Sequence, residues 1–72
     1  MFNRLEESRR AAGLTRAGLA AAVGVHYQTV GYLERGEYAP SLALALRIAA
    51  LLGVRVEDVF ALEPFTVARV RT

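Results

Sequence analysis

The sequence contains no cysteine, which excludes a disulfide framework and any thiolate metal site. It contains no lysine either: all nine cations are arginine, against seven carboxylates, for a net charge of +2 and a pI near 9.7. So small an excess points only weakly to a polyanionic partner. No apolar run approaches the roughly 18 residues of a membrane span, and no leader pattern is visible, so a cytoplasmic protein is expected. There is a single histidine, His26, with no Asp or Glu near it in a triad-like order. No glycine-rich phosphate loop exists; the six glycines stand singly. The adjacent Glu57 and Asp58 suit the first turn of a helix better than a catalytic pair. Glu34 and Glu37 lack further metal ligands. Neither an enzyme nor a cofactor or metal site is expected. Internal repeats, low-complexity tracts and linkers are also missing.

The chain is 72 residues long, enough for one small domain. A monomer of this size buries only about 60% of its unfolded surface, and without disulfide or metal the usual remedy is oligomerisation. Ala, Leu and Val dominate, which favours an all-α fold. The stretch from Leu14 to Tyr38 predicts a helix, a tight turn and a second helix. Thr15 can cap the first of these. Leu19, Ala20 and Val23 share one apolar face, with Ala20 and Ala21 small enough for a close helix crossing. Gly24 suits a left-handed stop, and Val25 is an apolar plug in the turn. His26 to Arg35 predicts the next helix, capped by His26, with Val30 and Leu33 inward and Gly36 at its end. Tyr27, Gln28, Gly31 and Tyr32 are left on its outer face.

Before this unit, Asn3 to Ala12 predicts a helix with a capping-box spacing between Asn3 and Glu6 and with Phe2, Leu5 and Ala12 inward. After it, Pro40 biases Ala39 to extended geometry, and Ser41 caps a helix from Leu42 to Leu52 that Gly53 ends. Leu42, Ala45, Ala49 and Leu52 form its expected inward stripe. Leu44 and Leu51 form a second apolar line that one small core leaves uncovered. A short fifth helix is expected over about Val56 to Ala61, with Val59 and Phe60 apolar. From Leu62 the chemistry changes. Pro64 breaks the helix, and Phe65 to Arg71 alternates as a strand does, with no ladder partner in its own chain. Residues 1–61 therefore form the expected domain. Residues 62–72 form a tail that is either disordered or, as the apolar, β-branched content favours, pairs with a second copy through Phe65, Val67 and Val70, helped by Leu44, Leu51 and Phe60.

The combined spacing L-T…L-A…V-G-V…Q-T-V…L-E-x-G…P-S-L resembles the helix-turn-helix of the lambda-repressor-like (Xre) family of transcription regulators, over roughly Asn3 to Phe60. The resemblance implies a five-helix domain whose third helix enters the DNA major groove while the second crosses the backbone. Carried over by position, Tyr27, Gln28, Gly31 and Tyr32 face base edges, Gln28 being suited to adenine N6 and N7. Arg16, His26, Thr29, Arg35 and Tyr38 are placed for phosphates. Arg9 is expected to pair with Glu34. The implied function is sequence-specific transcriptional regulation, most simply repression by a homodimer on a palindromic operator, on the nucleoid. The alternative is an antitoxin-like module that binds a partner protein. The sequence departs from the family's pattern in three places. Arg16 and Gly18 stand where Gln or Glu is usual, and Gly18 costs its helix up to about 1 kcal/mol relative to Ala. Glu37 stands where a cation often faces phosphate.

Overall fold

Three of the five helices open at a side-chain cap, and two close at a left-handed glycine. The computed structural model describes residues 1–65. In chain order these form β1 (Phe2–Asn3), α1 (Leu5–Ala11), α2 (Arg16–Val23), α3 (Tyr27–Glu34), α4 (Leu42–Leu52), α5 (Val56–Val59) and β2 (Phe60–Ala61). The Thr15 hydroxyl accepts from Gly18 N at 2.9 Å and opens α2. His26 Nδ1 accepts from Gln28 N at 3.1 Å and opens α3. The Ser41 hydroxyl accepts from Leu44 N at 3.1 Å and opens α4. Gly24 and Gly53 close α2 and α4 in the left-handed region, at φ +80° and +72°, where a Cβ would be strained. Glu57 and Asp58 occupy the first turn of α5, and the Asp58 carboxylate accepts from Arg55 N.

The architecture is the expected all-α, five-helix one, with a two-stranded sheet added. β1 and β2 pair antiparallel, with Phe2 opposite Ala61 and Asn3 opposite Phe60. Arg4 N donates to Val59 O at 2.7 Å and extends the pairing. This sheet corrects two expectations. The first helix starts at Leu5, not Asn3, and the fifth stops at Val59, because both flanking segments are extended. Strand alternation then turns Asn3 inward and Phe2 outward. Phe2 is accordingly exposed, not core. The Asn3 side chain does not form a capping box with Glu6. Its Oδ1 accepts from Leu5 N, its Nδ2 donates to Leu33 O, and Glu6 pairs instead with Arg10.

The core gathers Leu5, Leu19, Ala20, Val23, Val30, Leu33, Leu44, Ala45, Ile48, Val59 and Phe60, with Leu14, Val25, Leu52 and Val56 packed against it. Ala12 and Ala21, expected near the core and the helix crossing, are exposed. On α4 the buried set is Leu44, Ala45, Ile48 and Ala49. Leu42, expected inward, is 72% exposed, while Leu44, expected outward, is 6% exposed. The helix reads LALALRIAALL, apolar almost all round, so periodicity cannot choose its inner face; packing against α2 and α5 does. Phe60 is likewise a core side chain. Leu44 and Phe60 are therefore unavailable as a free interaction surface. Leu51 is exposed as expected. Phe65 is half-buried, with the Arg4 guanidinium 4.2 Å from its ring centre. Val67 and Val70 lie outside the described residues. Among the described residues, no helix is long and apolar enough to cross a membrane.

The reassignment of Leu44 is directly testable. Leu44→Ala should lower the unfolding free energy by about 2–5 kcal/mol, the range for a truncated core leucine, as read from urea denaturation. A loss below about 0.5 kcal/mol would return Leu44 to the surface.

Candidate nucleic-acid interface

The site is organised around a buried carboxylate. The Glu34 side chain, at the end of α3, is only 1% exposed. Its Oε2 accepts from Arg9 Nε at 2.6 Å and its Oε1 from Arg16 Nε at 2.9 Å. Arg9 is buried as well, and its Nη1 donates to Leu14 O at 2.8 Å. The expected pair of Arg9 and Glu34 is thus present. The resemblance places Arg16 for phosphate. Arg16 is also the second partner of Glu34, and its side chain stays 43% exposed. No sequence signal marks this contact, because the two residues lie eighteen positions apart and meet only when α2 packs on α3. With Nε held by Glu34, the Nη groups of Arg16 are carried to the outer surface of α3.

That surface holds a shallow cleft lined by Arg16, Tyr27, Gln28, Gly31, Tyr32 and Arg35. All four residues expected to face bases therefore come together with two of the five expected to face phosphate. Tyr27, Gln28 and Tyr32 are exposed. Gly31 is not: it is buried beneath the arginines. A Cβ built on it would meet Arg35 Nη1 at 3.2 Å and Arg16 Nη1 at 3.9 Å. The bare backbone expected there is covered by guanidinium. Arg35 also reaches Glu37 at 3.3 Å and stands 5.2 Å from the centre of the Tyr32 ring.

His26, Thr29 and Tyr38 lie outside the cleft. The His26 ring rests 4.7 Å from the Tyr27 ring and caps α3. Its Nδ1 is used as an acceptor, so in the neutral ring Nε2 carries the proton and is left as a donor. Thr29 is half-buried, and its backbone N–H is taken by His26 O. Tyr38 is exposed on the loop after α3. The arrangement offers an amide, two phenols and two guanidiniums around one cleft on the outer face of α3. Those groups suit the acceptors of a DNA groove and its flanking phosphates. No cluster of metal-ligating side chains occurs among the described residues.

Removing one member of a buried charge pair strands the other, so Glu34→Ala and Arg9→Ala should each cost about 3–5 kcal/mol. The double variant should lose less than the sum of the two. The corresponding cycle between Arg16 and Glu34 should give a smaller coupling, because water reaches Arg16. Denaturant titration of the five variants measures both couplings, and strictly additive losses would show the residues to be independent.

The sequence matches the helix-turn-helix family over residues 5–59. It is 44% identical over 63 residues to the HTH-type transcriptional regulator YgzD of Bacillus subtilis, covering 88% of this chain and 96% of that one. It is 45% identical over 60 residues to an HTH-type transcriptional regulator of Archaeoglobus fulgidus, covering 83% and 86%. A regulator of Methanothermobacter thermautotrophicus is 50% identical over 60 residues, covering 82% and 87%. The crystal structure of the restriction-modification controller protein C.AhdI from Aeromonas hydrophila superposes with a TM-score of 0.73 at 37% identity, covering 79% of this chain and 86% of that one. With a recognition-type helix presenting polar groups beside a packed partner helix, and with this likeness along most of its length, the chain belongs to the lambda-repressor-like (Xre) helix-turn-helix family of DNA-binding transcriptional regulators.

Proposed function

We propose that the chain is a repressor that binds a palindromic operator as a homodimer and blocks transcription by occupying the site. The observation that carries this is the cleft on α3, where Tyr27, Gln28, Tyr32, Arg16 and Arg35 are presented together. Gln28 pairs with one adenine through N6 and N7, Tyr27 and Tyr32 contact neighbouring base edges, and Arg16, His26 and Tyr38 engage the backbone. Thr29, with its backbone donor already used, contributes its hydroxyl at most. The net charge of +2 is too small for strong non-specific binding by one copy, which favours two copies on two half-sites. Such a protein works in the cytoplasm, on the nucleoid.

The surface of α4 supports the dimer. Leu42 and Leu46 are exposed on one flank of it and Leu51 on the other, with Val54 just beyond, and the only charge on the helix is Arg47. A second copy packed against the Leu42 and Leu46 flank would remove those side chains from water, at about 25 cal/mol per Å² of apolar area. Isologous packing places two recognition helices about a two-fold axis, matching half-sites roughly 34 Å apart. Leu51 keeps the interface role its exposure allows. Residues 62–72, with Phe65, Val67 and Val70, form the second candidate element.

Two experiments test this function. In gel shifts on a duplex selected from a random library, Gln28→Ala should lose about 1–3 kcal/mol and relax preference at one position per half-site. Raising the salt should weaken binding by wild type and variant alike. Equal loss on selected and random DNA would argue against base reading by Gln28. Sedimentation separates the two dimer elements. Leu46→Glu should give a folded monomer, whereas truncation after Glu63 should give one only if the tail is the main contact. A dimer that survives both changes would exclude both surfaces.

A further inference from the structure

We infer that Arg35 reads a base, and that Gly31 is the residue that lets it do so. The inference rests on DNA binding through α3 and assigns a new role within it. By position Arg35 is a backbone contact, since it follows the last residue of the recognition helix. The geometry places its working end elsewhere. Helical side chains lean toward the N-terminus of their helix and lie over the preceding turn. The Arg35 guanidinium follows this rule and lies on Gly31, one turn back, within the cleft that also holds Tyr27 and Gln28. Positions 27, 28, 31 and 35 fall on one face of a helix. At position 31 the molecule therefore presents a guanidinium to the groove, not a bare backbone.

Three contacts hold it there. Gly31 supplies the space, because its missing Cβ would stand 3.2 Å from Arg35 Nη1. Glu37 pairs with Arg35 Nε at 3.3 Å, which directs the Nη groups away from the loop and back over the helix. The Tyr32 ring flanks the guanidinium at 5.2 Å. Glu37 stands where a cation facing phosphate is usual, and here it positions an arginine instead. Arg16 is fixed alongside by Glu34, which leaves Arg16 to the adjacent phosphate. The two nitrogens that Arg35 presents match the O6 and N7 acceptors of guanine, the commonest specific arginine contact in the major groove. The ligand class is thus a G·C pair in each half-site, near the base that Gln28 takes.

The test uses the whole protein and a duplex selected by it from random-sequence DNA. Each guanine of that duplex is replaced in turn by 7-deazaguanine, which lacks the N7 acceptor. Wild type should lose affinity about 5- to 150-fold at one guanine per half-site. Arg35→Ala should bind the unmodified duplex more weakly by a similar factor and show no further loss at that guanine. Gly31→Ala keeps the arginine but crowds it, so its sensitivity at that guanine should fall while its melting temperature holds or rises. Arg35→Ala would overturn the assignment if it weakened selected and random DNA equally, lowered the salt slope by about one and kept the wild-type guanine profile; Arg35 would then be a phosphate contact. A wild-type protein that selects no sequence at all would instead defeat the reading of α3 as a DNA-binding helix.

Discussion

A carboxylate removed from water must be answered by charge, and Glu34 is answered twice. Both of its oxygens are used, one by Arg9 from α1 and one by Arg16 from the start of α2. Arg9 in turn donates to the carbonyl of Leu14, where the chain enters α2. Three helices are therefore tied at one point, next to the outer face of α3. Replacing such a network by well-packed apolar side chains is often neutral for stability, so its value is better sought in register. An apolar contact tolerates sliding, whereas two hydrogen-bonded guanidiniums on one carboxylate do not. Fixing α1 and α2 against the end of α3 fixes the direction in which α3 presents its outer face.

The same network divides labour between the arginines. Arg9 is consumed by structure. Arg16 is held by its Nε and keeps its outer nitrogens for a ligand. Arg35, held by Glu37 and accommodated by Gly31, lies across the face of the recognition helix. With no lysine in the chain, all these contacts fall to planar guanidiniums, which can be gripped by one nitrogen and still offer two others. An ammonium held by a carboxylate has no such fixed second edge. Of the nine arginines only Arg16 and Arg35 line the cleft, while Arg4, Arg10, Arg47 and Arg55 are exposed elsewhere.

The sheet and α4 frame this unit from the other side. Asn3 bridges Leu5 N and Leu33 O, so the first strand is fastened to both α1 and α3. β2 closes the pairing and carries Phe60 into the core. α4 buries Leu44 and Ile48 and leaves Leu42, Leu46 and Leu51 in solvent. An eleven-residue helix with a single charge has more apolar surface than a core this small can absorb. That excess is the physical reason to expect a second copy.

Local chemistry determined both ends of α2 and α4 and the start of α3. Thr15, His26 and Ser41 are caps in sequence and in space, and Gly24 and Gly53 stop helices where only a left-handed residue fits. The amphipathic pattern of α2 and α3 also determined their inner faces, Leu19, Ala20 and Val23 against Val30 and Leu33, and hence which side of α3 is outermost. The resemblance, over roughly Asn3 to Phe60, then carried the pair of Arg9 and Glu34. Tertiary structure alone decided the rest. A two-residue strand is too short for periodicity to reveal, so the pairing of Phe2–Asn3 with Phe60–Ala61 required both ends of the described chain to meet. A helix apolar on every side has no inner face until its neighbours choose one, which is why Leu44 is core and Leu42 is not. The second arginine on Glu34 and the guanidinium over Gly31 depend on α2 crossing α3 and on a long side chain folding back. Neither distance is encoded by spacing along the chain, because each is set by how packed helices bring flexible ends together.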